Sequence, residues 1–301
     1  MNLKYSDGDF YVPEGVYNSR TFQRTVIDNQ RQIFANAPSR SWIKIHALRT
    51  VKDSWQDSLK GFCEKKFGDV WKVSLPVHEA DDKKVITFYV SKYLPNLLLF
   101  YMASTNRRYE NAVRRLIKHT YGLGSMWIAP KKYESLIFHF MDQFKPTVYR
   151  FYGIRNANDT TESRIRPSYQ RSMWWTAKDS FETMSELKEL YGIRPTSIFM
   201  QFRYGNFQFT NEGLFVLSRQ NREMFDALNE SLSFVKRDEE YFSKITQRMK
   251  LEYDSFAPRS KKSILIPKLT SGSIRLNKTS LSTGLVQQLM DSVVSFAFLI
   301  P

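Results

Sequence analysis

Apolar residues fall at two rhythms along this chain, and the switches between them divide it into elements. Phe22, Val26, Ile27, Ile33 and Phe34 recur at helical spacing, which predicts an amphipathic helix between Asn18 and Ala37. WIKIHAL (Trp42 to Leu48) then alternates with the period of two that a strand requires, and Asp53 is placed to cap a helix carrying Trp55, Leu59 and Phe62. Three runs rich in β-branched and aromatic residues follow, beginning at Val70, Val85 and Leu97 and separated by turn formers. They predict an antiparallel meander. Helical spacing returns from Arg107 to Thr120, with Gly122 placed as a C-cap, and again from Lys131 to Phe144, where Pro146 stops it. A strand is expected at Thr147 to Gly153.

Between Ile154 and Ser172 no period is clean, and NANDTTES (Asn156 to Ser163) reads as an exposed loop and as the expected domain boundary. Phe181, Met184, Leu187, Leu190 and Tyr191 mark a further helix. Ser197 to Phe209 predicts a hairpin turning at Gly205-Asn206, with Tyr204 opposite Phe207 and Phe202 opposite Phe209. A short strand at Leu214 to Ser218 and a long polar helix or helix pair from about Asn221 to Tyr253 complete the pattern. The expected fold is α+β: a mixed or mainly antiparallel sheet with helices packed on one face. The expected organisation is an N-terminal lobe over 1–155, a second lobe over 156–260, and a basic Ser/Thr-rich segment with an apolar tail over 261–301.

Charge changes the picture more than composition does. The 301 residues carry 45 Lys and Arg against 30 Asp and Glu, a net charge of +15, which favours a polyanionic partner. The excess is local, because the stretch 101–150 holds nine basic residues against three acidic ones, whereas 201–260 is balanced. In the predicted helix RRYENAVRRLIKHT, Tyr109, Ala112, Val113, Leu116, Ile117 and Thr120 take one side of the axis. Arg107, Arg108, Arg114, Arg115 and Lys118 take the other, diluted only by Glu110. A solvated helix face usually mixes both signs, so five like charges point to phosphate contacts that release counterions. Lys131 and Lys132 extend the stripe.

RIRPSYQRSMWWTAK (Arg164 to Lys178) adds aromatics to the same chemistry. Arg164, Arg166 and Arg171 are candidates to position phosphates, and Tyr169 and Trp174 to stack on bases. If this stretch is extended, Trp174 and Trp175 point to opposite sides, and if Ser172 to Lys178 is instead the first turn of the next helix, both are half-buried. The hairpin FRYGNFQF departs from the RNA-recognition strand signature, since Tyr204 stands where that signature has glycine, and no family is assigned.

Catalytic signals are weak. Asp69, Asp82 and Lys84 are the one set that would suit a metal-dependent nuclease, and HEADDKK also fits an ordinary polar turn. There is no phosphate-binding GxxxxGK loop, and Glu134 and His139 fall on different faces of their helix. A lone cysteine, Cys63, and four scattered histidines give no metal-ligand spacing, so no metal or cofactor is expected. The longest apolar runs reach about half of the ~20 residues a spanning helix needs, and the N-terminus lacks the basic and apolar run of a secretion signal. The chain is therefore expected to be an intracellular, non-catalytic nucleic-acid-binding protein making no membrane contact. The alternatives are a nucleic-acid-processing enzyme and an assembly protein that meets an acidic partner or pairs with itself through its apolar C-terminus.

Overall fold

Nearly all the segments with strand rhythm join one antiparallel sheet in the computed structural model of the protein. The structure describes residues 12–28, 42–50, 63–79, 82–103, 113–114, 116–117, 123–155, 170–218, 222–246, 250–251 and 274–275. The strands are β1 (Ile43–Thr50), β2 (Cys63–Phe67), β3 (Val70–Glu79), β4 (Asp82–Leu94), β5 (Leu97–Ala103), β6 (Leu123–Ser125), β7 (Thr147–Arg155), β8 (Arg171–Thr176), β9 (Arg194–Phe202), β10 (Gly205–Thr210) and β11 (Leu214–Ser218). Their order is β2-β3-β4-β5-β1-β11-β10-β9-β7-β8, with β6 paired to the end of β1. The described helices are α1 (Ser19–Asp28), α2 (Pro130–Gln143), α3 (Ser180–Tyr191) and α4 (Arg222–Thr246). The fold class is α+β, with helices packed on the sheet.

The expected meander is β3-β4-β5, and β1 joins it through a register that sets Ile43 opposite Ala103 and Arg49 opposite Leu97. On its other side β1 takes β11 along its first half, Ile43 opposite Leu217, and β6 along its second, Thr50 opposite Leu123. β1 is thus the central strand joining two half-sheets.

Alternation along the strands defines two faces. The first carries Ile45, Tyr101, Phe207, Phe209, Ile198 and Phe151, all buried, and receives three helices. α1 sets Phe22 against Tyr89 and Tyr101, and α2 sets Phe140 against Phe207 and Phe209. Tyr133 of α2 donates a 2.7 Å hydrogen bond to the Phe209 carbonyl, satisfying a hydroxyl that burial would otherwise penalise. α3 lies over β7 and β9 and ends at Gly192, whose left-handed φ of 64° suits a residue without a side chain. The return is tight at Gly153, where a Cβ would come within 2.5 Å of Ile193 Cγ2.

The second face is covered differently in its two halves. Over β3, β4, β5 and β1 it forms an apolar cluster that includes Val73, Phe88, Phe100 and Leu48, closed by Val113, Leu116 and Ile117. These three belong to the apolar side expected of the segment from Arg107 to Thr120, and the described residues there are helical in part. The other half of this face, over β10, β9, β7 and β8, is described below.

The β9–β10 hairpin differs from expectation. Its turn falls at Arg203-Tyr204, with Phe202 opposite Gly205, Met200 opposite Phe207 and Ile198 opposite Phe209. The expected register would have set Ile198 against Gly213 and Met200 against Asn211. The observed one buries both aliphatic side chains against phenyl rings, which fixes the register. Of the strands in this sheet, β2 and β6 were not foreseen, and β8 takes up the extended alternative at Arg171–Thr176.

By compactness the chain divides into Met1–Asn229 and Glu230–Pro301. The sheet from β1 to β11 lies within the first unit, so the expected boundary at 155 falls between two strands, β7 and β8, that pair with each other. In the second unit α4 continues with Leu232 and Val235 buried and Arg237 set 4.4 Å over the Phe234 ring, and the pair β12 (Lys250–Leu251) and β13 (Ile274–Arg275) is antiparallel. The helix expected after Asp53 and the apolar run from Leu285 to Ile300 lie outside the described residues.

Candidate functional site

Burial along the strands locates the site. β5 is buried at every position and β1 at nearly every one, because both of their faces are covered. β10 alternates strictly between buried and half-buried residues, and β8 between half-buried and exposed ones. That is the signature of a sheet covered on one side only. The open half-face presents Arg150 and Tyr152 of β7, Trp174 of β8 and Phe199 of β9.

These side chains touch one another. The Tyr152 and Trp174 rings lie 4.8 Å apart at 37°. The Arg150 guanidinium sits between two rings, 5.1 Å from the centroid of Phe199 and 5.8 Å from that of Trp174, within cation–π range of both. Phe199 also meets Trp42, just before β1, at 5.8 Å and Tyr149 at 6.4 Å. Trp174 is 63% exposed and Tyr149 42%, so a contiguous aromatic surface faces solvent with a cation at its middle. Among the described residues no carboxylate pairs with Arg150. The rim is polar: Gln208 donates to the Ser197 hydroxyl at 3.1 Å, and Gln201 is exposed.

Such a surface offers two things to a ligand. Flat rings accept other flat rings face to face, and a guanidinium held by rings offers N–H donors to an anion while its charge stays uncompensated.

The sequence-predicted residues fall in several places. Trp174 belongs to this surface, and Trp175 turns to the other side of β8, its indole N–H 3.4 Å from the Asp179 carboxylate. Arg171 does not join Trp174. Three steps along a strand reverse the side, so Arg171 lies on the helix-covered face, 5.0 Å over the Tyr191 ring at the C-terminal end of α3. There it stands opposite the buried Arg155. The carboxyl end of a helix favours cations, which suits this placement. Arg114 is exposed and lies 3.5 Å from Glu212, an ion pair whose side chains are 57% and 58% exposed and which solvent therefore weakens. Lys131 and Lys132 open α2, the former exposed and the latter half-buried. Arg107, Arg108, Arg115, Lys118, Arg164, Arg166 and Tyr169 lie outside the described residues.

The nuclease alternative loses its geometry. Asp69 sits in the turn before β3, whereas Asp82 pairs with Glu79 at the far end of that ten-residue strand. At roughly 3.3 Å per residue the two positions are about 30 Å apart, too far to share a metal ion. No group of three metal-ligating side chains occurs among the described residues. No described helix is long and apolar enough to cross a membrane.

Two buried titratable groups line β1 beside the open half-face. Burial lowers the Lys44 amine to about 8. His46 is lowered to about 4, first by burial and then by the charge of Arg114, against the opposing effect of the Glu212 carbonyl 3.1 Å from its Nε2. The imidazole is therefore neutral at pH 7, and Nε2 carries the hydrogen that the carbonyl accepts.

Arg150, Tyr152, Phe199 and Trp42 were not singled out from the sequence. In VYRFYGIR the alternation of Arg150 and Tyr152 with Phe151 and Gly153 was the available signal, but which of the two sets stays open depends on what packs above the sheet. No protein-family model and no curated protein matches the chain.

Proposed function

We propose that the protein binds nucleic acid without catalysing a reaction on it. The observation that carries this reading is Arg150, held between Trp174 and Phe199 on a solvent-facing aromatic surface in a chain of net charge +15. Aromatic rings with an interleaved arginine suit bases joined by phosphates better than they suit a purely acidic partner, which would make no use of the rings. The stripe of Arg107, Arg108, Arg114, Arg115 and Lys118 supplies phosphate contacts in this reading. Its described apolar residues, Val113, Leu116 and Ile117, pack on the same face of the sheet that carries the aromatic surface. An intracellular location follows from the proposed ligand.

The test is fluorescence anisotropy with labelled DNA and RNA oligonucleotides across a salt series. Affinity is expected to fall steeply with salt, with a log–log slope that shrinks by about 0.7–0.9 for each phosphate contact removed. Replacing Arg114 and Arg115 together by alanine is expected to flatten that slope. Negligible affinity for both polymers at low salt overturns the proposal.

A further inference from the structure

Resting on that reading, we infer that the open half-face takes a single-stranded segment, with bases stacked on Trp174 and on Phe199 and the connecting backbone drawn to Arg150. Three observations favour a single strand over a duplex at this surface.

The first is width. The four strands β10, β9, β7 and β8 are hydrogen-bonded neighbours, and their three spacings of roughly 4.8 Å make the platform about 14 Å across between outer strand axes. A major groove of ~12 Å admits a helix or a two-stranded ribbon, not a four-stranded face. The second is ring access. Trp174 lies on the edge strand with most of its surface in solvent, and a ring so placed gains from a base only if that base shows its own flat face. Bases inside a duplex are already stacked on both faces and present only their edges. The third is charge placement. The Arg150 guanidinium lies between the Trp174 and Phe199 rings, 5.8 and 5.1 Å from their centroids. A backbone linking bases on those two rings must pass over it. Double-stranded polyanions have phosphates on their outside and need a ridge of cations, which the described residues of this half-face do not offer.

The experiment compares a labelled single-stranded oligonucleotide, its RNA counterpart and the corresponding duplex on the full chain, with Trp174→Ala, Phe199→Ala and Arg150→Gln as variants. Circular dichroism and thermal unfolding report whether each variant folds, and Trp174→Phe keeps a ring if the alanine variant does not. The single strands are expected to bind at least tenfold more tightly than the duplex and to quench tryptophan fluorescence. Trp174→Ala is expected to weaken single-strand binding by roughly five- to hundredfold, the range that stacking on one aromatic ring supplies. It leaves the salt slope unchanged, whereas Arg150→Gln lowers that slope. If the duplex binds as well as the single strand, or if single-strand binding ignores both ring substitutions, the inference fails while the proposed function stands. If neither form binds at low salt, or an acidic polypeptide binds equally well in wild type and Trp174→Ala, both fail.

Discussion

The two halves of the sheet are built from the same strand geometry and differ in what covers them. On the side of β3, β4, β5 and β1 both faces are sealed, one by α1 and one by the segment that carries Val113, Leu116 and Ile117. On the side of β10, β9, β7 and β8 one face is sealed by α2 and α3, and the other meets water with Arg150, Tyr152, Trp174 and Phe199. The first half devotes nearly all its side chains to stability. The second devotes half of them, and the remainder are free to bind.

Substitutions at matched aromatic positions break or sharpen this contrast. Phe100 is buried in the sealed half and stacks on Phe88 at 5.2 Å. Phe100→Ala is expected to cost about 3–5 kcal/mol in urea unfolding, by lost burial and a residual cavity. Phe199→Ala on the open half is expected to cost about 1 kcal/mol or less. Equal losses at the two positions mean that the second half is sealed as well.

Acid tests the seam between the halves. The folded protein resists protonating His46 until about pH 4, whereas an unfolded imidazole takes its proton near the ordinary value of 6.5. Between those values the unfolded chain binds more protons, so stability rises with pH across the window and is lost as pH falls through it. At ~1.4 kcal/mol per pH unit the loss is on the order of 3 kcal/mol. Urea midpoints at neutral pH and at about pH 4.5, taken for wild type and His46→Gln, isolate it. The variant is expected to lose much less stability between the two conditions, and identical losses mean that the site is open to water.

Smaller effects belong to the exposed positions. Trp174→Ala is expected to shift stability by no more than about 0.5 kcal/mol, since the ring is mostly solvated, while weakening single-strand binding as described above. Glu212→Gln removes the carboxylate beside Arg114. It is expected to change stability by less than about 1 kcal/mol and to raise oligonucleotide affinity slightly at low salt and not at high salt. An unchanged affinity at every salt concentration means that Arg114 lies outside the path of the phosphates.

Much of the architecture was legible because it is written in short-range periodicity. The β3-β4-β5 meander, α2 with its stop at Pro146 and α3 lie close to where the spacing puts them. The apolar side of RRYENAVRRLIKHT was also read correctly at Val113, Leu116 and Ile117. The sequence of β8 fits both a strand and a first helical turn, since an edge strand with Ser, Met, Trp and Thr in mixed order gives a faint signal, and its pairing with β7 spans the segment 156–169. For the same reason Arg171 and Trp174 were grouped as neighbours in sequence, although strand geometry parts them. The candidate surface was the least legible part. Its four side chains come from three strands, and their exposure reflects the absence of a covering element there among the described residues, which no local pattern encodes.

The position of β1 between β5 and β11 also sets an order of assembly. During synthesis β1 can pair with β5 as soon as the meander has emerged and with β6 soon after, but the first half of its other edge, Ile43 to His46, stays unsatisfied until β11 arrives. The partners Ile43 and Leu217 are about 170 residues apart, so at ~5–20 residues per second the ribosome leaves that edge waiting for roughly ten to thirty seconds. For that interval the nascent chain carries a partly unpaired strand edge, and a chaperone or its own neighbours on the polysome would meet it before the closing strand does.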